Sequence, residues 1–198
     1  MGKKDLKPTK LSFAKVFPYL LLIGGIIGVL CAGMLTVEKI QLLKHPTEQL
    51  ACDLNPIVAC GSVINTWQAS AFGFPNPIIG LVGFSVVATI GAGAAFKRWF
   101  WLGLQAGVTF GALFVTWLQY QSIYQIGALC PFCMVVWSVM IPIFLYTTIY
   151  NLREGNIKSN NSFKPFTGFI QKHHLDILIL WYLAIISAIL THFWYSWK

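Results

Sequence analysis

The chain has 198 residues, of which 57% are apolar and only 10% are charged. This composition, with a mean hydropathy of +0.68, excludes an ordinary soluble domain and indicates an integral membrane protein. The net charge of +8 does not indicate nucleic-acid binding, because the basic residues flank the apolar segments in the way that topology signals do.

Five charge-free apolar segments follow one another along the chain, and each can cross a bilayer, which takes roughly 20 residues. The first follows a lysine-rich leader, as in a signal peptide, but it is too long for one and no cleavage-site pattern follows it. We therefore expect an all-α integral membrane protein that retains all of these helices and has no separate soluble domain. The predicted spans are 16–37, 77–96, 99 to about 118, 128–150 and 177 to about 195.

The basic residues are divided unequally between the two sides that alternating spans define. Eleven of the 14 basic residues lie in three segments that share one side, namely before the first span, between the second and third spans, and between the fourth and fifth spans. The opposite side has only Lys39, Lys44 and Lys198. An excess of Lys and Arg marks cytoplasmic segments, which places the amino terminus inside and the carboxyl terminus outside. The predicted layout is a cytoplasmic basic tail (1–15), a core (16–150) with an outer loop (38–76), a cytoplasmic loop (151–176), and a fifth helix with a short outer tail (177–198).

Four of the five cysteines form two pairs beside the predicted spans. Cys52 and Cys60 lie in the outer loop, and Cys130 and Cys133 form a Cys-Pro-Phe-Cys motif that opens the fourth span from the same side. Both pairs thus face the compartment in which disulfides persist. At a helix start, free amide groups and the helix dipole stabilise a thiolate. The combination indicates a membrane dithiol–disulfide oxidoreductase with a lipid-soluble electron acceptor, whereas Cys31, in mid-span, is interpreted as a small buried apolar side chain.

The outer loop is predicted to have a mobile part and a helical part. Turn-forming residues follow Cys52 in Asp-Leu-Asn-Pro, so this stretch is expected to be mobile. Ser62 is a candidate N-cap of a short amphipathic helix that Gly73 and Pro75 end. This helix is expected to lie on the membrane as a lid over the bundle, with an apolar face made by Val63, Ile64, Trp67 and Ala71.

Together these motifs resemble the vitamin K epoxide reductase family, in its bacterial branch. The resemblance rests on Cys52-x7-Cys60, on Cys60-Gly-Ser-Val-Ile-Asn-Thr66 running into Phe72-Gly73-Phe74-Pro75, and on Cys130-Pro-Phe-Cys133. It covers about 16–150, and the fifth span resembles the extra helix of bacterial members. It implies a four-helix transmembrane bundle around a quinone, either menaquinone or ubiquinone, in the cytoplasmic membrane of a bacterium. It further implies that the protein reoxidises a thioredoxin-fold partner and so drives disulfide formation in exported proteins.

The resemblance also assigns roles to the four cysteines. Cys130 and Cys133 are expected to form the active-site disulfide, with Cys133 deeper in the membrane and facing the quinone. Cys60 is expected to be the internal shuttle that attacks Cys130, and Cys52 is expected to face the soluble partner. Electrons would then run from the partner's dithiol through the loop pair and the CxxC pair to the quinone.

Several further residues are candidate quinone contacts. Thr66, six residues after Cys60, and Asn76, at the start of the second span, resemble polar contacts of the family. Each has a structural alternative, which is a backbone hydrogen bond for Thr66 and helix capping for Asn76. Aromatic side chains are candidates to line the slot, although ordinary packing explains each of them as well: Phe72, Phe74, Phe114 and Trp137.

Two features depart from the family's pattern. The chain ends at Lys198 without the thioredoxin-like domain of many bacterial members, so the partner is expected to be a separate extracytoplasmic polypeptide. Trp137 stands four residues after Cys133, where the animal enzymes have a tyrosine, and an indole lacks the phenol donor. Reduction of a quinone epoxide is therefore a weaker alternative than thiol oxidation.

Two non-enzymatic functions remain open from the sequence. The cysteines could staple the loop of a small membrane protein, although a CxxC disulfide closes too small a loop to stabilise much. They could also bind zinc as four thiolates, although the spacing of Cys52 and Cys60 is loose for such a site. We expect neither a metal nor a nucleic-acid partner. The predicted partners are the thioredoxin-fold protein, the membrane quinone and membrane lipid.

Overall fold

The computed structural model describes residues 10–45, 50, 52–93, 97–157 and 164–194. Helices make up nearly all of these ranges, which confirms the predicted all-α class. A 3-10 turn at Trp67–Ser70 follows α2, and a π-helical segment at Gln121–Ile126 extends α4. The helices are α1 Lys10–Lys44, α2 Cys60–Ile64, α3 Asn76–Ala92, α4 Arg98–Tyr120, α5 Pro131–Arg153, α6 Lys164–Lys172 and α7 His174–Phe193.

Four helical stretches are long and apolar enough to cross a membrane, namely Lys15–Lys44, Arg98–Ile126, Pro131–Arg153 and His174–Phe193. The predicted second span corresponds to α3, which ends at Ala92 rather than at residue 96; residues 94–96 lie outside the described part. At 17 residues, α3 is about 26 Å long, which is the lower limit for a spanning helix.

Helices α1 and α3 pack as an antiparallel pair at very close range. A Cβ atom on Gly91 would lie 2.4 Å from the backbone nitrogen of Leu22, and one on Gly25 would lie 2.6 Å from that of Ala88. Because glycine has no Cβ atom, the two backbones can approach to this distance. The close approach of α1 and α3 therefore depends on glycine at these two positions.

Helices α4 and α5 form a second antiparallel pair with a defined register. Near one end, the amide of Asn151 donates to the carbonyl of Trp101 at 3.2 Å. Further along, a Cβ atom on Gly111 would lie 2.6 Å from the Cε atom of Met140. A step of ten residues on α4 is thus matched by a step of eleven residues back along α5.

The fifth predicted span is α7, which begins three residues earlier than expected. Asp176 lies in its first turn, as predicted, and accepts a hydrogen bond from His173 at 2.8 Å. The helix lies outside the bundle, since none of its most apolar window is buried. It contacts α5 through the hydroxyl of Tyr182, which donates to the carbonyl of Ser138 at 2.6 Å. The core is therefore made by α1, α3, α4 and α5.

The lid differs from the single helix that the sequence predicted, because it consists of α2 and the 3-10 turn. Its N-cap is Ala59 and not Ser62. The carboxylate of Asp53 accepts a hydrogen bond from the backbone N–H of Gly61 at 2.9 Å, so the loop caps the first turn and the helix begins at Cys60. The chain is extended at Thr66, which separates the two parts.

Only part of the predicted apolar face is buried, since Val63 is half-buried and Ala71 is exposed. Ile64 is buried as expected, but Trp67 is 69% exposed, because the break before it turns the 3-10 segment away from the α2 face. The end of α1 nearest Lys44 supports the lid from the other side. There the ammonium of Lys39 donates to the carbonyl of Ile64 at 2.8 Å, which satisfies a free carbonyl at the end of α2.

Candidate active site

A short backbone pairing brings the two cysteine pairs together at one end of the bundle. Val58 and Leu129 form a parallel bridge. The N–H of Ala59 donates to the carbonyl of Leu129 at 3.0 Å, and the N–H of Leu129 donates to the carbonyl of Ile57 at 2.7 Å. Each bridge residue shortly precedes a cysteine, so the pairing sets Cys60 beside Cys130. It also keeps residues 128–130 out of α5, which begins at Pro131 rather than at the predicted residue 128.

The sulfur atoms of Cys60 and Cys130 lie 3.3 Å apart. Both residues are completely buried, with 0% exposure. Reacting atoms held about 3–3.5 Å apart are in the range of a near-attack arrangement. The site can therefore carry out thiol–disulfide exchange between the loop pair and the CxxC pair.

In this structure the loop pair is oxidised and the CxxC pair is reduced. Cys52 and Cys60 form a disulfide with their Cα atoms 5.6 Å apart. Cys130 and Cys133 are free thiols. The sequence left open which pair rests as the disulfide, so the role of Cys130 and Cys133 as the active-site pair stays a prediction. Cys31 is buried in α1, as predicted.

The start of α5 favours an anionic sulfur at Cys130. Cys130 is the N-cap of the helix, and Pro131 occupies its first turn, where a missing N–H costs nothing. A hydrogen bond from the Cys133 thiol, with backbone N–H bonds from Cys133 and Phe132, lowers the pKa of Cys130 against the opposing effect of burial. The nucleophilic thiolate of Cys130 is therefore favoured.

The turn after Cys52 is ordered, contrary to the expectation of a mobile segment. The side-chain oxygen of Asn55 accepts hydrogen bonds from the N–H groups of Ile57 at 3.0 Å and Val58 at 2.8 Å. Asp53 closes the turn onto Gly61, as described above. Cys52 itself is only 7% exposed, because this hydrogen-bonded turn folds it against α1 instead of leaving it free in solvent.

Glu38 is a site residue that the sequence analysis missed. Its side chain is 4% exposed, and its Oε2 atom lies 2.7 Å from the sulfur of Cys52. The sequence held a signal for it, since Glu38 directly follows the first apolar span and an ionisable residue within a membrane helix is a functional candidate. The prediction that this span ends at residue 37 placed Glu38 in a loop, whereas α1 continues to Lys44.

Glu38, Cys52 and Cys60 have side-chain donor atoms within 4.8 Å of one another, as in some metal sites. The sulfur atoms of Cys52 and Cys60 are bonded to each other in the disulfide, whereas a cysteine binds a metal as a thiolate. The oxidised pair therefore offers no complete ligand set, and the four-thiolate zinc site would require a different redox state.

The two polar candidates for quinone binding both contact the lid. Asn76 is buried; its amide donates to the carbonyl of Gln68 at 2.6 Å, and its oxygen accepts from the N–H of Ala71 at 3.1 Å. Asn76 is not the cap of α3, since Pro75 holds that position. The hydroxyl of Thr66 donates to the carbonyl of Val63 at 2.8 Å, which is the backbone bond proposed as its structural alternative. A quinone carbonyl accepts hydrogen bonds, and the second amide N–H of Asn76 could donate to it, whereas the Thr66 hydroxyl already donates its hydrogen to Val63. The quinone contact of both residues stays a prediction.

The aromatic candidates divide into two places. The ring of Phe72, in the lid segment, lies 5.4 Å from that of Phe114 on α4, so these two contact each other. Trp137 is buried in the bundle core, one turn beyond Cys133. The cluster around Phe114 also includes three rings that the sequence analysis did not select, namely Phe110, Trp117 and Trp67.

Gln119 is a second residue that sequence reasoning missed. It continues the buried stripe of α4 and is 5% exposed, and its Nε2 atom has no hydrogen-bond partner among the described residues. Gln119 lies eight residues beyond Gly111 on α4, and eight to nine residues back from Met140 on α5 is residue 131 or 132, so Gln119 is level with the first turn of α5, which also carries Cys133. An unsatisfied buried donor is costly, so this position suits an added acceptor such as a quinone carbonyl.

Comparison with known proteins agrees with this geometry. The family model described as the vitamin K epoxide reductase family matches residues 19–148. This range includes α1 from residue 19 onward, the lid, both cysteine pairs and α5 almost to its end. A comparison with the curated proteins gave no match. The buried pairing of the loop cysteines with a CxxC at a helix start, and a family match over most of the chain, lead to one conclusion: the chain belongs to the vitamin K epoxide reductase family.

Proposed function

We propose that the protein oxidises a separate thioredoxin-fold partner and passes the electrons to a membrane quinone, which supports disulfide formation in exported proteins. Membership of the family implies a membrane thiol–disulfide oxidoreductase. The observation that carries the proposed relay is the 3.3 Å separation of the Cys60 and Cys130 sulfur atoms. Exchange between the pairs needs no rearrangement of the bundle at this distance.

The relay begins at the loop pair. A thiolate of the partner attacks Cys52 of the Cys52–Cys60 disulfide, which forms a mixed disulfide and releases Cys60 as a thiolate. The partner's second thiolate then attacks its own mixed-disulfide sulfur and releases Cys52. The partner leaves with a disulfide, and its two electrons remain on the thiols of Cys52 and Cys60.

The electrons then pass to the CxxC pair. The Cys60 thiolate attacks Cys130 in a Cys130–Cys133 disulfide and releases Cys133. Cys52 next attacks Cys60 and releases Cys130. The products are a Cys52–Cys60 disulfide and a dithiol at Cys130 and Cys133, which is the arrangement of this structure.

The last step returns the CxxC dithiol to its disulfide. A bound quinone would supply an acceptor for two electrons and two protons. Gln119 would hold a carbonyl oxygen through its free Nε2–H, since it lies level with the first turn of α5, which carries Cys133. Asn76 and Thr66 are further polar candidates, and Phe72, Phe114 and Trp137 are the candidate apolar walls. Cys133, the deeper thiol, is the proposed point of electron exit.

The direction of electron flow depends on the strength of the oxidant. A DsbA-type partner has a potential near roughly −120 mV, so its reoxidation needs an acceptor at least as oxidising or one kept oxidised by flux. A respiratory quinone meets the second condition. Exchange between cysteine pairs is nearly isoergic, and the protein contributes proximity and a stabilised thiolate at Cys130.

We further propose that the chain lies in the cytoplasmic membrane of a bacterium with its amino terminus inside and its carboxyl terminus outside. The distribution of Lys and Arg supports this orientation. The test uses Asn55→Cys and Glu154→Cys, both at exposed positions, in a background without other cysteines. An impermeant maleimide should label the first in intact cells and the second only after permeabilisation. The reverse pattern contradicts the orientation.

Reconstitution tests the activity. Protein in lipid vesicles is given a reduced thioredoxin-fold oxidase and a quinone, and quinone reduction is followed spectroscopically. Cys133→Ala should abolish turnover, whereas Cys31→Ala should retain it. Turnover that survives Cys133→Ala contradicts the relay, and the same result would favour a purely structural role for the cysteines.

Trapping identifies the partner. In Cys60→Ala, the Cys52 thiolate should attack the disulfide of the oxidised partner, which forms a Cys52–partner mixed disulfide and releases the partner's second cysteine as a thiolate. Cys60 is then absent as the internal resolving thiol, and mass spectrometry of the acid-quenched membrane fraction identifies the captured partner. Cys52→Ala should capture nothing at the loop. Restored disulfide formation in a bacterium that lacks its own disulfide-generating membrane enzyme would test the direction in cells.

A further inference from the structure

Glu38 lies against a reacting sulfur atom at the outer end of α1. Its Oε2 atom is 2.7 Å from the sulfur of Cys52, and the side chain is almost completely shielded from solvent. Because Cys52 is in a disulfide, its sulfur carries no hydrogen. In this oxidised state a hydrogen bond between the two could be donated only by the carboxyl group, and so exists only while Glu38 is protonated.

The ionisable neighbours of Glu38 are hydrogen-bonded to other groups, so its carboxyl group can interact with Cys52. The adjacent cation, Lys39, is directed to the carbonyl of Ile64 at 2.8 Å, so it does not neutralise Glu38. The other ionisable groups that act on this region are the Asp53 carboxylate and the Cys130 thiol. Asp53 is bound to the N–H of Gly61. Glu38 is thus the proton-carrying group in contact with Cys52.

We propose that Glu38 is the general acid–base of Cys52 in the exchange between the two cysteine pairs, an inference that rests on the proposed relay. When Cys52 is the leaving group, protonated Glu38 donates its proton to the departing thiolate. When Cys52 is the nucleophile, the Glu38 carboxylate accepts the thiol proton. Proton transfer by a positioned side chain typically contributes about 10²–10⁴-fold to a rate.

The exchange balances in both directions. The Cys130 thiolate attacks Cys60, the Cys60–Cys130 bond forms and the Cys52–Cys60 bond breaks. Cys52 departs with the electron pair, takes the proton of Glu38 and becomes a thiol, while Glu38 becomes a carboxylate. In the reverse step the carboxylate removes that proton as Cys52 attacks Cys60, and Cys130 leaves as the thiolate.

The experiment isolates this exchange from the quinone and the partner. In purified Cys31→Ala/Cys133→Ala protein, Cys130 is the internal nucleophile, and each opening of the loop disulfide exposes Cys52 to a saturating maleimide. The rate of Cys52 labelling is measured by mass spectrometry across the pH range. The rate should rise with formation of the Cys130 thiolate and fall with ionisation of Glu38, which gives a bell-shaped profile.

Glu38→Gln keeps the size and a hydrogen-bond donor but cannot transfer a proton. It should slow labelling by at least about tenfold and remove the falling limb of the profile. Glu38→Asp, which retracts the carboxyl group, should keep the falling limb at a reduced rate. Glu154→Gln, at an exposed position after α5, is the matched control and should match the parent.

An unchanged rate and an unchanged bell-shaped profile in Glu38→Gln would overturn the proposal. So would a slower rate with the falling limb retained, because that result describes a structural hydrogen bond only. The assay contains neither quinone nor partner protein, so its result does not depend on quinone reduction. A failure of quinone reduction in vesicles would therefore count against the proposed function only, and the pH profile would still decide the role of Glu38.

Discussion

The sulfur of Cys130 lies 3.3 Å from the sulfur of Cys60, although 70 residues separate the two along the chain. The contact depends on the backbone bridge between Val58 and Leu129, which holds one cysteine of each pair in register. This relationship favours Cys60, rather than Cys52, as the loop residue that we expect to exchange with the CxxC motif.

Cross-linking of paired single cysteines tests this assignment. In Cys52→Ala/Cys133→Ala, Cys60 and Cys130 remain side by side and should form a disulfide rapidly under mild oxidation. The matched variant Cys60→Ala/Cys133→Ala leaves Cys52 with Cys130 and should cross-link much more slowly. Both variants also carry Cys31→Ala, and peptide mapping under non-reducing conditions gives the rates. Faster cross-linking through Cys52 would reverse the order of the relay.

The titration of Cys130 should respond to the hydrogen bond from residue 133. This bond lowers the pKa of Cys130, so the thiolate persists to lower pH than in an ordinary thiol. In a background without the other cysteines, Cys133→Ala removes the donor and should move the titration midpoint to higher pH, whereas Cys133→Ser retains an O–H donor and should keep a lower midpoint. Thiolate absorbance in the ultraviolet measures the titration midpoint of Cys130 in each variant. Equal midpoints would exclude this hydrogen bond as the cause of the lowered pKa.

Gln119→Leu should weaken quinone binding while leaving the cysteine chemistry intact. A single neutral hydrogen bond contributes about 0.5–1.5 kcal/mol, so we expect KM for the quinone to rise about three- to tenfold. The control is Thr147→Val, because the Thr147 hydroxyl is the other buried unpartnered group among the described residues and lies about 21 Å along α5 from Cys133. Steady-state kinetics give KM for the quinone in both variants. An equal rise of KM in both would mean that the effect of Gln119→Leu is not local to the quinone site.

Asn76→Ala should loosen the lid. The substitution leaves the carbonyl of Gln68 and the N–H of Ala71 without their partner, at a cost of about 1–3 kcal/mol for each buried group. Hydrogen exchange at the Ala71 amide should therefore become faster, as mass spectrometry of lid peptides can measure. Asn65→Ala, at an exposed lid position, should leave the exchange unchanged, and protection retained in Asn76→Ala would show that other contacts hold the lid.

Gly91→Ala should separate α1 from α3. The added Cβ atom would meet the backbone of Leu22 and the carbonyl of Pro18 at 2.8 Å, and backbone atoms cannot turn away as a side chain can. Overpacking of this kind costs about 1–3 kcal/mol or more, so the melting temperature in detergent should fall. Gly83→Ala, on the same helix but with no described atom within 4 Å of the added Cβ, should be tolerated. Because alanine favours a helix more than glycine does, similar losses in both variants would contradict packing against α1 as the cause.

The membrane class and the position of the CxxC motif were predictable from local patterns. Charge-free segments of spanning length follow directly from the composition of each stretch, and the Pro after Cys130 marks a helix start within one turn. The boundaries were less predictable. The fourth span begins at Pro131 and not at residue 128, because the preceding backbone pairs with Ile57 and Ala59, and a hydropathy pattern carries no information on such a distant partner.

By itself, the sequence determined that the chain is helical and membrane-embedded, that it carries two cysteine pairs and that it resembles a redox family, because these properties depend on neighbouring residues. Only the tertiary structure decided which cysteines meet, that Glu38 contacts Cys52, and that Asp53 rather than Ser62 caps the lid. Each of these depends on a contact between segments that are distant along the chain or on how far a helix continues. Such contacts are set by the packing of α1 against the loop and by the register of α4 against α5, which no single segment encodes.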